Sequence, residues 1–200
     1  MAINSSTTYQ IIKQMSINKK IWDNYNELIL SEDLSRIRKM LSRYELFKKT
    51  INIPGDIIDC GVYKGVSYLF WLKCLKIFSH NANKKVIGFD MFSKVPKGLS
   101  IKEKTKWKNF IKKSNYNGMD PNKISDLASK ILPKNFHELI IGDIRRTSKN
   151  YIKKNLGFKI SLLHLDLDSY SATKSALKNF FPLMSKGGII ILDEYGIRGW

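Results

Sequence analysis

The sequence has 200 residues, 43% hydrophobic and 12% aromatic, which is enough for about one domain with a buried core. This composition excludes a wholly disordered chain, and the lack of any run of 18 apolar residues excludes a transmembrane helix. The net charge of +18 suggests nucleic-acid binding, but the positive residues are mostly Lys spread along the chain. We therefore expect a solvated basic surface, densest over 97–113, without a specific nucleic-acid or membrane partner.

Two further features bear on the compartment. The N-terminus lacks the basic and apolar blocks of a signal peptide, so we expect a cytoplasmic protein. Cys60 and Cys74 lack the Cys-x-x-Cys spacing of a redox or metal motif and lie in apolar surroundings. They are therefore expected to be reduced, buried thiols.

The first fifty residues have helical patterning. Thr7 and Gln10 fit a capping box that begins a first helix. Ser31 fits the N-cap of a second helix with an apolar stripe on one face. A Pro-Gly pair follows, so we expect an N-terminal helical extension over 1–52 and a separate domain over 53–200.

The second part alternates short apolar runs with helical stretches, which predicts a doubly wound α/β domain with a mostly parallel sheet. Strands are expected over 57–60, 85–89, 138–141, 160–165 and 189–192. Helices are expected over 66–79 and 171–184, and the long polar stretch 93–135 contains helix-like pieces. A ligand should bind beyond the carboxyl ends of the strands, near the switch in strand order.

The turn after the first strand contains two glycines, Gly61 and Gly65. Glycines here let the backbone approach a ligand closely, and the N-terminus of the next helix offers N–H groups to an anion. The turn is not a P-loop because Lys64 precedes the second Gly, and it is not a dinucleotide fingerprint because residue 63 is Tyr. An ordinary tight turn is the alternative.

Single acidic residues close the next two strands. Asp90 follows the second strand, where a carboxylate is placed to accept the hydroxyls of a ribose. Its alternative is a loop or cap carboxylate. Asp143 follows the third strand and could receive an adenine amino group, although a turn Asp is an equal alternative.

Three carboxylates follow the last two strands: Asp166, Asp193 and Glu194. Neighbouring parallel strands would bring them together, where they repel unless a cation lies among them. Mg²⁺ is the natural occupant of such an oxygen site. Asp168, or the serine after it, is expected instead to cap the following helix. His164 is expected to be a core or site-wall residue.

These motifs resemble class I S-adenosylmethionine-dependent methyltransferases, and more narrowly the macrocin-type sugar O-methyltransferases. The matching segments, in the expected order, are 54–67, 88–92, 142–147, 164–173 and 187–196. The most specific part is the Asp-x-Asp-x-Tyr segment at 166–170, followed by Gly-Gly and a pair of acids.

The resemblance implies S-adenosylmethionine and Mg²⁺ as cofactors. The residues that would hold the methionine end of S-adenosylmethionine are Asp59, Gly61, Tyr63, Gly65 and Ser67. Asp90 would hold the ribose, and Asp143 would lie near the adenine. Mg²⁺ would be bound by Asp166, Asp193 and Glu194, with Asp166 as the candidate catalytic residue. The expected reaction is methyl transfer to a hydroxyl of a small molecule such as a sugar unit, and the resemblance implies a substrate lid within 93–135.

One departure concerns the end of the sheet. The family fold continues past the strand at 189–192 with two more strands that this sequence does not contain. A bare apolar sheet edge is unusual. We therefore expect either that the sequence is a fragment or a natural truncation, or that a partner chain in a homo-oligomer or the N-terminal helices cover the edge. A nucleic-acid-binding protein, or an inactive methyltransferase-like module, is the alternative function.

Overall fold

A computed structural model describes residues 18–78, 83–92, 99–114, 118–193 and 195–196. The predicted capping box at Thr7 and Gln10, and the predicted metal ligand Glu194, lie outside the described residues. The chain divides into two compact units, residues 1–43 and 44–200. No helix within the described ranges is long and apolar enough to cross a membrane.

Two helices make up the described part before the sheet, α1 (Lys19–Leu30) and α2 (Ser35–Thr50). Ser31 ends α1 and does not begin α2, so its prediction as the second N-cap is wrong. The carboxylate of Asp33 instead accepts the N–H of Ser35 at 2.8 Å and its hydroxyl at 3.0 Å. Asp33 lies two residues before the helix, where a side-chain acceptor reaches the first free N–H groups.

The second unit alternates strands with helices, as the apolar pattern predicts. In chain order its elements are β1 (Asp56–Cys60), α3 (Val66–Phe78), β2 (Val86–Asp90), α4 (Ile101–Ser114), α5 (Pro121–Ile131), β3 (His137–Ile141), α6 (Ile144–Lys154), β4 (Ile160–Leu165), α7 (Tyr170–Phe180) and β5 (Met184–Leu192). Short 3₁₀ turns follow α5 and α7. All five predicted strands are present, and β5 begins five residues before its predicted start at 189.

The five strands form one parallel sheet in the order β3-β2-β1-β4-β5. This order confirms the predicted doubly wound α/β fold, and the switch point lies between β1 and β4. Each face has its own buried cluster: Tyr68 and Trp71 of α3 pack on one side, and Phe89 and Phe180 on the other. Because all the strands are parallel, their carboxyl ends meet at one edge of the sheet.

Candidate active site

A cleft opens at the carboxyl edge of the sheet, between the loops that follow the first four strands. Its empty space, with the open mouth included, is about 870 Å³. The residues that line it include Gly61, Tyr63, Asp90, Leu99, Trp107, Asp143, Arg145, Asp166 and Ala172. Five of the ten predicted site residues therefore lie on this cleft: Gly61, Tyr63, Asp90, Asp143 and Asp166.

Gly61 brings the loops after β1 and β4 into backbone contact at the switch point. Its φ is +94°, and a Cβ atom at this position would lie 1.7 Å from the carbonyl oxygen of Asp166. Backbone hydrogen bonds fix this approach, because Asp166 donates its N–H to Cys60 at 2.8 Å and Gly61 donates its own to Phe89 at 2.9 Å. Only glycine satisfies both the left-handed backbone and the close approach.

Asp90 ties the loop after β1 to the loop after β2. Its two carboxylate oxygens accept the backbone N–H of Tyr63 at 2.8 Å and of Phe92 at 2.6 Å. Burial raises the pKa of Asp90 above its ordinary value, while these two donors act in the opposite direction. The carboxylate is therefore held in a fixed orientation on the wall of the cleft.

Backbone strain concentrates in the loops around the cleft. Among the described residues, the non-glycine residues with positive φ are Tyr63 at 50°, Phe92 at 48° and Asp168 at 50°. They follow β1, β2 and β4 respectively. Each such conformation costs about 1–3 kcal/mol and is typical of functional sites.

Asp143 both begins α6 and lines the cleft. The two predicted alternatives, a turn residue and a residue beside the ligand, are therefore compatible. As N-cap it accepts the N–H of Arg145 at 3.0 Å, and its carboxylate pairs with the guanidinium of the same residue at 2.5 Å. The side-chain bond to Arg145 lowers the pKa of Asp143. Arg145 was not among the predicted site residues, since no spacing motif marks it.

Three of the predicted cofactor residues lie outside the cleft lining. Asp59 is fully buried, and its carboxylate accepts bonds from the Ser67 hydroxyl at 2.8 Å, the Trp71 indole at 3.4 Å and the Nδ1 atom of His164 at 2.5 Å. Gly65 packs on Ile124, where a Cβ would come within 3.1 Å of that side chain. Asp59, Ser67 and Gly65 thus stabilise the loop after β1 without lining the cleft.

The carboxyl ends of β4 and β5 bring together a cluster that could hold a cation. One ligand atom each from His164, Asp166 and Asp193 lies within 4.8 Å of the others. Asp166 and Asp193 are two of the three predicted ligands, whereas His164 was not predicted to be a ligand. Two carboxylates and an imidazole form a donor set that fits a divalent cation.

The loop before α7 also contacts the predicted lid. Ser169 is the N-cap of α7, which confirms one of the two predicted caps, and its hydroxyl accepts the N–H of Ala172 at 3.4 Å. Glu103 of α4 accepts the Ser169 hydroxyl at 3.1 Å and the N–H of Tyr170 at 2.9 Å. It also accepts the N–H of Ser100 at 2.8 Å, so one carboxylate joins the starts of two helices.

The fold of this chain is similar to that of solved structures. The calicheamicin methyltransferase CalS11 matches with a TM-score of 0.72, covering 97% of this chain and 80% of that one at 21% identity. This likeness shows a Rossmann-like methyltransferase fold. Residues 35–199 match the model of the macrocin O-methyltransferase (TylF) family, and the chain belongs to that family.

Two curated relatives add detail. An 8-demethyl-8-(2,3-dimethoxy-α-L-rhamnosyl)-tetracenomycin-C 4'-O-methyltransferase from Streptomyces olivaceus is 25% identical over 150 residues, covering 72% of this chain and 54% of the relative. A mycinamicin III 3''-O-methyltransferase from Micromonospora griseorubida is 26% identical over 152 residues, covering 72% of this chain and 57% of the relative. The chain thus spans little more than half the length of these relatives.

Proposed function

We propose that the chain is an S-adenosylmethionine-dependent O-methyltransferase that acts on a hydroxyl of a sugar-containing small molecule. The observation that carries this proposal is the cleft at the switch point, where the Gly61 backbone and the oriented Asp90 carboxylate lie beside Asp166. Family membership supports the reaction, and the names of the two relatives, one of which includes a rhamnosyl group, support the sugar.

The cofactor would lie along the loops that follow the first three strands. The backbone at Gly61 and Tyr63 would contact its methionine end, and Asp90 would accept the ribose hydroxyls. Asp143 would lie near the adenine, with Arg145 beside it. Asp59, Gly65 and Ser67 would act through the loop shape that they maintain.

The predicted metal ligands Asp166 and Asp193, with Glu194, would hold Mg²⁺ beside the acceptor hydroxyl. Such a bound cation supplies Lewis acidity that makes the hydroxyl easier to deprotonate. Asp166 is the proposed catalytic residue because it lines the cleft, where a carboxylate could take the hydroxyl proton. As the oxygen attacks, its bond to the methyl carbon forms while the carbon–sulfur bond of the sulfonium breaks, so alignment supplies much of the rate.

Transfer of a labelled methyl group from S-adenosylmethionine to a panel of rhamnosides and other glycosides tests the reaction. We expect transfer by the wild type and its loss in Asp166→Asn, with Asp126→Asn on the exposed face of α5 as the matched control. No labelled product from any glycoside would contradict the sugar proposal. Full activity in excess chelator would contradict the metal part alone.

We also propose that a second copy of the chain covers the β5 edge. Within the described sheet β5 pairs with β4 alone, and Leu192 on it is 37% exposed. Natural proteins rarely leave such an edge bare. Light scattering after size exclusion would show a dimer if this is correct, and a monomer at high concentration would contradict it.

A further inference from the structure

Three ionisable side chains form a diagonal line across one face of the sheet. Asp59 on β1 is opposite His164 on β4, and His164 is opposite Ile191 on β5. Asp193 lies two residues beyond Ile191, just past the end of β5, and its N–H donates to the carbonyl of Leu165 at 3.0 Å, so backbone pairing with β4 continues to it. The line therefore leads from the buried core to the carboxyl edge, where Asp166 joins it.

The inner end of this line fixes the orientation of the imidazole. Nδ1 of His164 donates to Asp59 at 2.5 Å, and neither side chain is exposed to solvent. Asp59 is itself held by Ser67 and Trp71, and the Trp71 ring packs edge-on against the imidazole with centroids 5.7 Å apart. A proton held on Nδ1 by a carboxylate leaves the lone pair of Nε2 directed outward.

The outer end of the line has the spacing of a coordination site. Nε2 of His164 lies 3.7 Å from an oxygen of Asp193, which is too long for a hydrogen bond. Two ligands at about 2.1 Å from one cation lie roughly 3.0–3.4 Å apart at octahedral or tetrahedral angles. A movement of a few tenths of an ångström would therefore let both atoms bind one ion, with Asp166 as a third ligand.

We propose that His164 is a nitrogen ligand of the cation and that Asp59 is the carboxylate that orients it. A ligating histidine typically donates its other N–H to a carboxylate, as His164 does to Asp59. First-row transition cations accept an imidazole ligand more readily than Mg²⁺, which prefers oxygen ligands, and the two carboxylates of the cluster also suit Mn²⁺. The inference rests on the metal site of the proposed function, and it names Mn²⁺ or a similar cation as the preferred occupant.

Pulsed electron paramagnetic resonance of bound Mn²⁺ tests this directly in protein without a histidine tag. We expect ¹⁴N modulation from a coordinated imidazole in the wild type and its loss in His164→Gln. Asp59→Asn should retain the modulation but weaken Mn²⁺ binding by about 10–100-fold, the usual effect of losing an outer carboxylate. His137→Gln is the matched control. His137 is also buried, but it lies on β3 at the opposite edge of the sheet from β5 and contacts Ser129.

Titrations with each metal separate ligation from a general loss of structure. His164→Gln should weaken Mn²⁺ binding at least tenfold and Mg²⁺ binding much less, while His137→Gln should change neither. Bound Mn²⁺ without ¹⁴N modulation in the wild type would overturn the inference, as would a failure to bind Mn²⁺ at millimolar concentration. Metal binding with the expected modulation but no methyl transfer would leave the inference standing and contradict the proposed function.

Discussion

The backbone contact between Gly61 and Asp166 gives the sharpest test of how the cleft is built. In Gly61→Ala, the new Cβ would have to lie 1.7 Å from the Asp166 carbonyl oxygen and 2.7 Å from its carbonyl carbon. A positive φ costs a non-glycine residue about 1–2 kcal/mol, and overpacking adds about 1–3 kcal/mol. We therefore expect the free energy of unfolding to fall by about 2–5 kcal/mol, with displacement of the β4 loop.

Gly157→Ala is the matched control for this experiment. Gly157 also has a positive φ, +80°, but an added Cβ would meet nothing within 4 Å. It should therefore show the backbone cost alone, about 1–2 kcal/mol. Urea unfolding followed by circular dichroism measures both variants. Equal losses of stability in the two would refute the claim that close approach at Gly61 holds the β1 and β4 loops together.

Three further predictions concern the lid, the thiols and the basic surface. Glu103→Gln should speed the release of S-adenosylhomocysteine several-fold in stopped-flow measurements, since it weakens the charge-assisted bonds to the start of α7, while Glu45→Gln on the surface of α2 should not. Hydrogen bonds, first that from the Ser100 hydroxyl, lower the pKa of Glu103, so this contact is fully present above the ordinary Glu pKa and is lost as the pH falls through the lowered value; release that does not speed up as the pH falls through that value, with the fold intact by circular dichroism, would contradict it. Burial raises the pKa of Cys60 well above its usual range and that of Cys74 to about 11, so neither should react with Ellman's reagent at pH 8 until the protein is unfolded. DNA binding through the basic residues around 97–113 should be lost steeply as salt rises, and a sequence-selective complex at physiological salt would contradict our assignment.

The strands could be predicted because their signal is local. Each buried strand of the sheet is a short apolar run between polar or glycine-rich stretches, and β4 was predicted with its observed bounds. Helix α6 was not predicted because its sequence is mostly polar and only Ile144, Ser148 and Tyr151 are buried. Ile144, Tyr151 and Ile152 do recur at helical spacing, but these few apolar residues are outnumbered by the polar residues around them.

The site could be predicted only in part, because several of its contacts join residues far apart in the chain. Asp90 and Asp143 lie at the ends of strands, and the end of each strand can be recognised from the local sequence alone. The bond between His164 and Asp59 joins residues 105 positions apart, so no spacing motif indicates it. The Ser-x-x-Glu spacing at 100–103 marks the start of α4, but it does not reveal that Glu103 also contacts the start of α7.

Titration calorimetry of the wild type with S-adenosylhomocysteine tests the central claim most directly. Our account predicts micromolar binding of one molecule per chain. Asp90→Ala should weaken it by about 1.5–3 kcal/mol, or roughly 10–150-fold, because the ribose hydroxyls lose a charged acceptor. Absence of binding to the wild type at millimolar ligand, or equal affinity in Asp90→Ala, would contradict the account.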